Sequence, residues 1–274
     1  MQRHHLFEWE DFAWLPRVFR DYTTDHLRHR LASSKRLLPV NRLMARRIKA
    51  LLLATGSVRI VDLCAGAGGP LPEIQRLLAS ELRTPVPVLL TDLFPNTAAF
   101  AQLAAGSGGM ITAHQGPVNV FAVPAELTGL RTLFTALHHF KPDQVQQLLA
   151  DAAASRQPIA IFEPLERTPR MLLLAGLDTL YRCFFLTPFV ARPGLLRLLL
   201  TYVLPIAPAL AVWDAMVSVL RAYTPTELRM LAAGIGGASY RWEAGQFDLP
   251  GPLATSLPTV FLLGWPVPAA PAHR

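Results

Sequence analysis

Residues 58 to 82 read VRIVDLCAGAGGPLPEIQRLLASEL, and the fold turns on how this stretch is read. Val58 to Leu63 is a short run rich in β-branched residues, which predicts a strand. It enters Cys64-Ala65-Gly66-Ala67-Gly68-Gly69-Pro70, where three glycines let the backbone turn tightly and approach a ligand without side-chain obstruction. Leu71 to Leu82 has helical spacing, so the loop delivers its amides to a helix N-terminus, where the dipole favours a carboxylate or phosphate. A nicotinamide-dinucleotide fingerprint would place glycine at the sixth position counted from Gly66. Leu71 stands there, so that reading loses the glycine used for close helix–strand packing.

Outward from this unit the pattern repeats. Val86 to Thr91 is a second apolar run ending at Asp92, followed by helical sequence from Asn96 to Ala105 and a turn at Gly106, Gly108 and Gly109. Val118 to Val123 reads as a third strand and Arg131 to Leu137 as a fourth, running into His138-His139-Phe140. Pro142 to Ala154 is a helix, and Ile159 to Phe162 a fifth strand closed by Glu163-Pro164. Strands alternating with helices predict an α/β fold with a doubly wound, mainly parallel sheet. Upstream, residues 8–55 have helical periodicity broken at Pro16 and Pro39. Residues 165–222 are leucine-rich, and Pro188, Pro193, Pro205 and Pro208 predict division into short helices. Thr224-Pro225-Thr226-Glu227 has capping-box spacing and starts a helix that stops near Gly234. Ser239 to Trp242 and Thr259 to Leu263 read as two closing strands. The expected organisation is an N-terminal helical cap (1–55), an α/β core (56–164), a hydrophobic helical insertion before the last two strands (165–222), and a closing part of the core (223–274).

Composition narrows the classes. The 274 residues are 51% hydrophobic and 16% charged, enough to bury a sizeable core and the opposite of a disordered chain. Mean hydropathy is +0.30, yet the best span candidate, Leu198 to Trp213, contains Pro205 and Pro208 and falls short of the roughly 20 apolar residues a bilayer needs. Two cysteines, Cys64 and Cys183, make neither a disulfide framework nor a cysteine-rich zinc cage, and no metal site is expected. Glu8, Glu10 and Asp11 interrupt the place where the apolar core of a secretory signal would begin, so the expected location is the cytoplasm. The net charge of +7 concentrates in His26 to Val61, which has no acidic residue and holds Arg28, Arg30, Lys35, Arg36, Arg42, Arg46, Arg47, Lys49 and Arg59. An amphipathic helix packing Leu27, Leu31, Leu43, Met44 and Ile48 inward accounts for it. An anionic membrane surface or RNA would also meet such a stretch.

Asp62-Leu63-Cys64-Ala65-Gly66-Ala67-Gly68, with Asp92 ending the next strand, resembles motif I of the class I S-adenosylmethionine-dependent methyltransferases; Cys64 stands where that family often has glycine. The resemblance covers about residues 56–164 and 223–264. It implies the Rossmann-like sheet of the class I methyltransferase type and S-adenosylmethionine as cofactor. It also implies that Cys64, Gly66 and Gly68 wrap the methionine portion, that Asp62 positions the amino group, and that Asp92, beside Leu93, accepts from the ribose diol. Asn119 and Val120, with Ala122 and Val123, are implied at the adenine, and Thr135 to His139 over the sulfonium. The implied activity is in-line methyl transfer to a small, largely apolar acceptor held between residues 6–30 and 165–223. His138, His139 and Glu163, at strand ends on the ligand side, are the catalytic candidates. Tyr22, Tyr181, Tyr202 and Trp213 are the substrate-binding candidates, with Tyr223 nearby. Asp214, in an apolar helix pattern, needs a partner such as Arg192, Arg197 or Arg221. Two alternatives stay open: cyclisation or aminocarboxypropyl transfer from the same cofactor, and a lipid or quinone acceptor met at a membrane surface. Nucleic acid is disfavoured as a substrate, because the chain lacks an Asn/Asp-Pro-Pro-aromatic tetrapeptide and an appended RNA-binding module. The sequence carries no signal for oligomeric state.

Overall fold

The structure, a computed structural model, describes residues 1–33, 38–189, 194–247 and 258–267. Two helices, α1 (Arg17–Ser33) and α2 (Leu38–Thr55), precede β1 (Ile60–Leu63), α3 (Leu71–Leu82), β2 (Val88–Leu90), α4 (Thr97–Gly106), β3 (Ile111–Ala113), β4 (Leu130–Phe134), α5 (Pro142–Ala154) and β5 (Ile159–Glu163). The helical segment that follows holds α6 (Pro169–Leu186), α7 (Leu195–Leu198) with a π-helical turn at Leu199–Val203, and α8 (Ile206–Arg221). Helix α9 (Pro225–Ala232) and strands β6 (Tyr240–Phe247) and β7 (Thr259–Pro266) close the chain. The seven strands lie in the order β3-β2-β1-β4-β5-β7-β6. All pairs are parallel except β5–β7 and β6–β7. This is the doubly wound, Rossmann-like α/β sheet that the resemblance implies.

Strands β1 and β5 are buried at every position, as expected of central strands covered on both faces. On one face Met44, Ile48, Leu71, Ile74 and Leu78 pack against Ile60 and Phe162; on the other, Val145, Leu148, Leu149, Leu228 and Ala232 pack against Leu133 and Ile161. Helix α2 carries its basic side outward, with Arg42, Arg46 and Arg47 exposed over buried Met44 and Ile48. The side chains of Leu27, Arg28, Arg30, Leu31, Lys35 and Arg36 lie outside the described residues. Strand order reverses between β1 and β4, so the crevice at their carboxyl ends is the topological switch point where open α/β sheets bind ligands.

The third strand differs from the expectation. Val118–Val123 is a loop, and β3 is Ile111–Ala113. Gly116-Pro117 and Pro124 bracket the loop, and proline cannot donate to a ladder. Val118, Val120 and Val123, spaced by two and then three residues, plug one core layer from a loop, while the Val118 amide donates to the Asp92 carbonyl at 2.8 Å.

Residues 165–222 are also less broken than their prolines suggest. Helix α6 runs 18 residues. Pro208 sits in the first turn of α8, where a missing N–H is tolerated, so the break falls at Pro205 instead. By length and composition Pro169–Phe189 would suffice to cross a membrane, and α7 with its π turn meets α8 at a 75° bend. The capping box of α9 forms as expected: Thr224 Oγ1 accepts from the Glu227 amide at 3.2 Å, and Glu227 Oε2 accepts from the Thr224 amide at 2.8 Å. Residues 8–16 are not helical apart from a 3-10 turn at Trp9–Asp11. Residues 3–11 form a strap over α8: the His4 amide donates to the Leu220 carbonyl, Arg221 Nε to the Leu6 carbonyl and Trp213 Nε1 to the Phe7 carbonyl.

Asp214 corrects a second expectation. Its Oδ1 accepts from the Trp9 amide at 2.8 Å, while Arg197 pairs with Asp25 and Arg221 with Glu8 and Asp11; Arg192 lies outside the described residues. The strap brings backbone donors to Asp214 before any arginine reaches it.

Candidate active site

The loop after β1 supplies the floor of a cleft of about 530 Å³ at the switch point. Gly66, Gly68 and Gly69 all have positive φ, at 56°, 92° and 44°. A Cβ on Gly68 would stand 2.2 Å from Leu103 Cδ1, so this glycine lets the loop pack on α4, while Gly66 and Gly69 line the cleft. Asp92, leaving β2, holds the loop from across the switch point. Its Oδ2 accepts from the Gly66 amide and its Oδ1 from the Phe94 amide, both at 2.8 Å. A carboxylate has about four acceptor sites, so each oxygen keeps capacity for a further donor. Asp62 is buried and accepts from Thr132 Oγ1 at 2.6 Å. Burial pushes its carboxyl up to about 8; the Thr132 hydrogen bond opposes this and the nearby Asp92 charge adds to it.

Cys64, Leu93 and Thr135 line the same cleft, together with Glu10, Asp11 and Asp21 from the N-terminal segment. Five carboxyl groups (Glu10, Asp11, Asp21, Asp62, Asp92) against Arg20, His5 and His139 make a cleft suited to a cationic ligand with hydroxyl donors. A sulfonium nucleoside carrying an amino-acid arm fits that donor set: a diol matches Asp92, and an ammonium would draw the proton from Asp62.

Cys64 takes a left-handed φ of 55°, a conformation that costs a non-glycine residue about 1 kcal/mol. Burial pushes its thiol well up, aided by the charges of Asp92 and Asp62, so it stays protonated. Cys64→Gly is therefore expected to hold stability level or raise it by up to about 1 kcal/mol, and Cys64→Val to lower it by at least about 1 kcal/mol. Urea unfolding checks both; a glycine variant less stable than the valine one contradicts the assignment of strain.

A second cavity, of about 150 Å³, continues from the cleft between the strap, α1, α6 and α8. Glu10, Thr135 and His139 line both cavities, so any passage between them runs past these three residues. Thr135 holds a φ of 53°, unusual for a β-branched residue and a mark of a constrained site. Beside the passage, His138 is buried, and its Nδ1 lies 2.8 Å from Glu163 Oε2. Glu163 Oε1 accepts from the amides of Ala136 and Leu137, both at 2.7 Å. Where Nδ1 donates to Glu163 Oε2, Nε2 is the ring nitrogen left to accept. Nε2 is 4.0 Å from Glu8 Oε2, beyond hydrogen-bonding distance.

His139 is different. Burial alone would lower its pKa, but the Glu8 charge, the Asp11 hydrogen bond and the Glu10 charge outweigh that and push it up to about 9. It is an imidazolium at neutral pH, 3.1 Å from Asp11 Oδ1 and 3.5 Å from Glu8 Oε2. The two histidines named together from the sequence thus differ in surroundings: His139 is paired with Asp11 and Glu8, while His138 contacts Glu163 through Nδ1. Burial would raise Asp11, but hydrogen bonds from His139 and Arg221 hold its carboxyl well below the usual range. Ligand-capable atoms of Glu8, His138 and His139 lie within 4.8 Å of one another. Two of the three also stand in ion pairs, Glu8 with Arg221 and His139, and His139 with Asp11, while Glu8 Oε1 is buried without a hydrogen-bond partner.

Other expected site residues lie elsewhere. Asn119 is exposed, its Oδ1 accepting from the Phe121 amide, and Val120 is buried in the core; neither lines the cleft. Tyr22 is buried with its hydroxyl 3.2 Å from Thr187 Oγ1. Tyr181 and Tyr202 are exposed on the outer side of the insertion, and Trp213 Nε1 donates to the Phe7 carbonyl. None of these aromatics lines the second cavity, which is walled by Ala175, Ala211, Ala215 and Cys183 with Glu8, Glu10, Thr23, Thr179, Asp214 and Ser218. Sequence reasoning missed Glu8 and Glu10. Their one visible signal is a pair of acids in the aromatic-rich stretch Phe7 to Trp14.

No protein-family model matches the sequence, and no curated protein matches it. Among solved structures, the chain is similar to an O-methyltransferase family protein from Burkholderia thailandensis, with 13% identity, a TM-score of 0.44, and coverage of 84% of this chain and 57% of that one. It is similar to the pyocyanin biosynthetic protein PhzM at 14% identity and a TM-score of 0.46, covering 82% and 55%. It is also similar to human N-acetylserotonin methyltransferase in complex with SAM, at 15% identity and a TM-score of 0.42, covering 80% and 50%. The chain thus spans little more than half the length of these structures, and at such identities the likeness is one of fold.

Proposed function

We propose that this chain binds S-adenosylmethionine in the switch-point cleft and transfers its methyl group to a nucleophile on a small acceptor in the adjoining chamber, with His138 as general base. The observation that carries this reading is that the glycine-loop cleft, rich in carboxyls, and the second cavity share Glu10, Thr135 and His139 in their walls, with His138 lining the second. When bound, the cofactor supplies a methyl group already activated on a sulfonium. The protein has three tasks: to align the acceptor, to exclude water, and to remove a proton. The strap with α6 and α8 walls the chamber. For a hydroxyl acceptor, His138 Nε2 would take the hydroxyl proton while the oxygen receives the methyl group from the sulfonium. Glu163 then stabilises the resulting imidazolium through Nδ1. The products are the methylated acceptor and S-adenosylhomocysteine. Calorimetric titration with S-adenosylmethionine and S-adenosylhomocysteine tests the reading at its root, since absence of binding removes it. Recovery of methylthioadenosine in place of S-adenosylhomocysteine would favour aminocarboxypropyl transfer.

A second reading, action at a membrane surface, draws on the outer face of the insertion. Leu173, Leu177, Tyr181 and Phe185 recur every four residues on α6, and all are exposed. Leu195, Leu196, Leu199 and Val203 extend the apolar surface, Leu195 at 87% exposure. Arg182 pairs with Asp178 at 2.7 Å and Arg197 with Asp25 at 2.8 Å, and Arg170 is exposed in the first turn of α6. The inner sides of α6 and α8 line the chamber, so these helices suit lying in the interface plane, and an acceptor could be drawn from the bilayer. The protein is expected to float with anionic phosphatidylglycerol vesicles, and Leu177→Glu together with Phe185→Glu to abolish this. Wild-type protein left in the lower fraction at low salt rejects the surface.

A further inference from the structure

The chamber holds more negative charge than its own cations answer. Arg182 is neutralised by Asp178, while Arg221 and His139 are engaged by Glu8 and Asp11. Two carboxyls remain. Asp214, 5% exposed, accepts from the Trp9 amide, and Glu10 has an enclosed Oε1 that accepts from no donor. Among the described residues, no Lys, Arg or His side chain hydrogen-bonds or forms an ion pair with either. The Asp214 carboxyl is held by the Trp9 and Glu10 amides, and the His139 charge acts on both groups without contacting either; the Glu10 oxygen is left without a donor, which is costly in a buried place. Both groups line the chamber, whose wall also includes Ala175, Ala211 and Ala215. We infer that the acceptor carries a protonated amine, which Glu10 and Asp214 receive, while an apolar ring or stem lies against Ala175, Ala211 and Ala215 and its nucleophilic group faces His138.

Two further points support the assignment. Burial pushes both carboxyls up to about 7, so in the absence of a cation the chamber suppresses its own charge. An arriving ammonium would restore both carboxylates and gain charge-assisted hydrogen bonds there. The chamber volume of about 150 Å³ suits one substituted ring and not an extended chain.

This inference rests on the methyltransferase reading, and its test separates the two. The full-length protein is first titrated with S-adenosylhomocysteine; failure to bind removes the parent reading. The loaded protein is then titrated with tyramine, 4-ethylphenol and 4-hydroxyphenylacetate, which share a ring and hydroxyl but end in a cation, a neutral group and an anion. Tyramine is expected to bind at least tenfold more tightly than 4-ethylphenol, with 4-hydroxyphenylacetate the weakest. Asp214→Asn is expected to shrink the tyramine advantage to under threefold while S-adenosylhomocysteine still binds. Equal affinity for tyramine and 4-ethylphenol, no detectable tyramine binding, or an amine preference that survives Asp214→Asn combined with Glu10→Gln overturns the assignment. The wild-type comparison alone decides the matter if a variant fails to fold.

Discussion

Asp92→Ala is expected to weaken S-adenosylhomocysteine binding by about 100-fold, near 2.7 kcal/mol, the scale of two charge-assisted hydrogen bonds lost to a diol. The same carboxylate holds Gly66 and Phe94 by their amides, so the variant also loosens the loop that forms the cleft floor. Asp92→Asn keeps one carbonyl oxygen for an amide and is expected to fall between. A thermal melt run beside the calorimetry separates the two contributions, and a folded Asp92→Ala protein with unchanged affinity would remove Asp92 from the site. The titration should also depend on pH, with a sign set by Asp62. Its carboxyl is raised to about 8, so it is mostly protonated in the empty cleft at pH 6 to 7. A ligand ammonium needs the ionised form, and binding then releases a proton. Affinity rises with pH below 8, by up to about tenfold per unit, and Asp62→Asn is expected to flatten the slope. The groups facing Asp62 are Thr132, which donates to it, and Asp92, whose charge holds its proton on.

What was legible in the sequence is what short-range rules govern. The turn after β1 needs residues free to take positive φ, and Gly66, Gly68 and Gly69 announce it; β1, α3, α5 and the capped α9 follow from periodicity and caps within a few residues. The misread third strand shows the limit of that reasoning. Valines at 118, 120 and 123 signal burial, which a ladder or a packed loop can satisfy; the three-residue step to Val123, which breaks a strand's period of two, and the flanking prolines at 117 and 124 separate the two. The candidate site was legible where the chain itself joins the parts, as from Asp62 to Gly68, at Asp92, and at His138 after β4. It was illegible where distant segments meet. Glu8 and Glu10 reach the chamber because Arg221, Asp214 and Trp213 on α8 hold the strap by its carbonyls, amides and carboxylates. Nothing within a few residues of Glu8 encodes that partnership. The aromatic residues erred for a related reason. Tyr181 lies on α6, which does border the chamber, but on its far side, and Tyr202 lies in the π turn at Leu199–Val203, away from the chamber; side-chain direction depends on packing between α6 and α8.

Glu163 offers the sharpest separation of structure from chemistry. Glu163→Ala would leave the Ala136 and Leu137 amides and His138 Nδ1 without their shared acceptor in a buried place, and is expected to cost about 3–5 kcal/mol of stability. Glu163→Gln has the same shape, and its carbonyl oxygen continues to accept from both amides, so its stability cost is expected to stay near 1–2 kcal/mol. Its amide nitrogen, however, now faces His138 Nδ1 as a donor. That contact is satisfied only if the histidine proton moves from Nδ1 to Nε2, which turns the acceptor nitrogen facing the passage into a donor. A base already carrying its proton removes none from the acceptor, so turnover is expected to fall by about 10²–10⁴. Affinity for S-adenosylhomocysteine should be unchanged, because Glu163 does not line the cofactor cleft. The tautomer can be read directly from the ¹⁵N shifts of the His138 ring, before any acceptor is known. An Nδ1–H tautomer persisting in Glu163→Gln, or turnover indifferent to the change, would leave Glu163 as a bracket for the Ala136–Leu137 turn and place the base elsewhere.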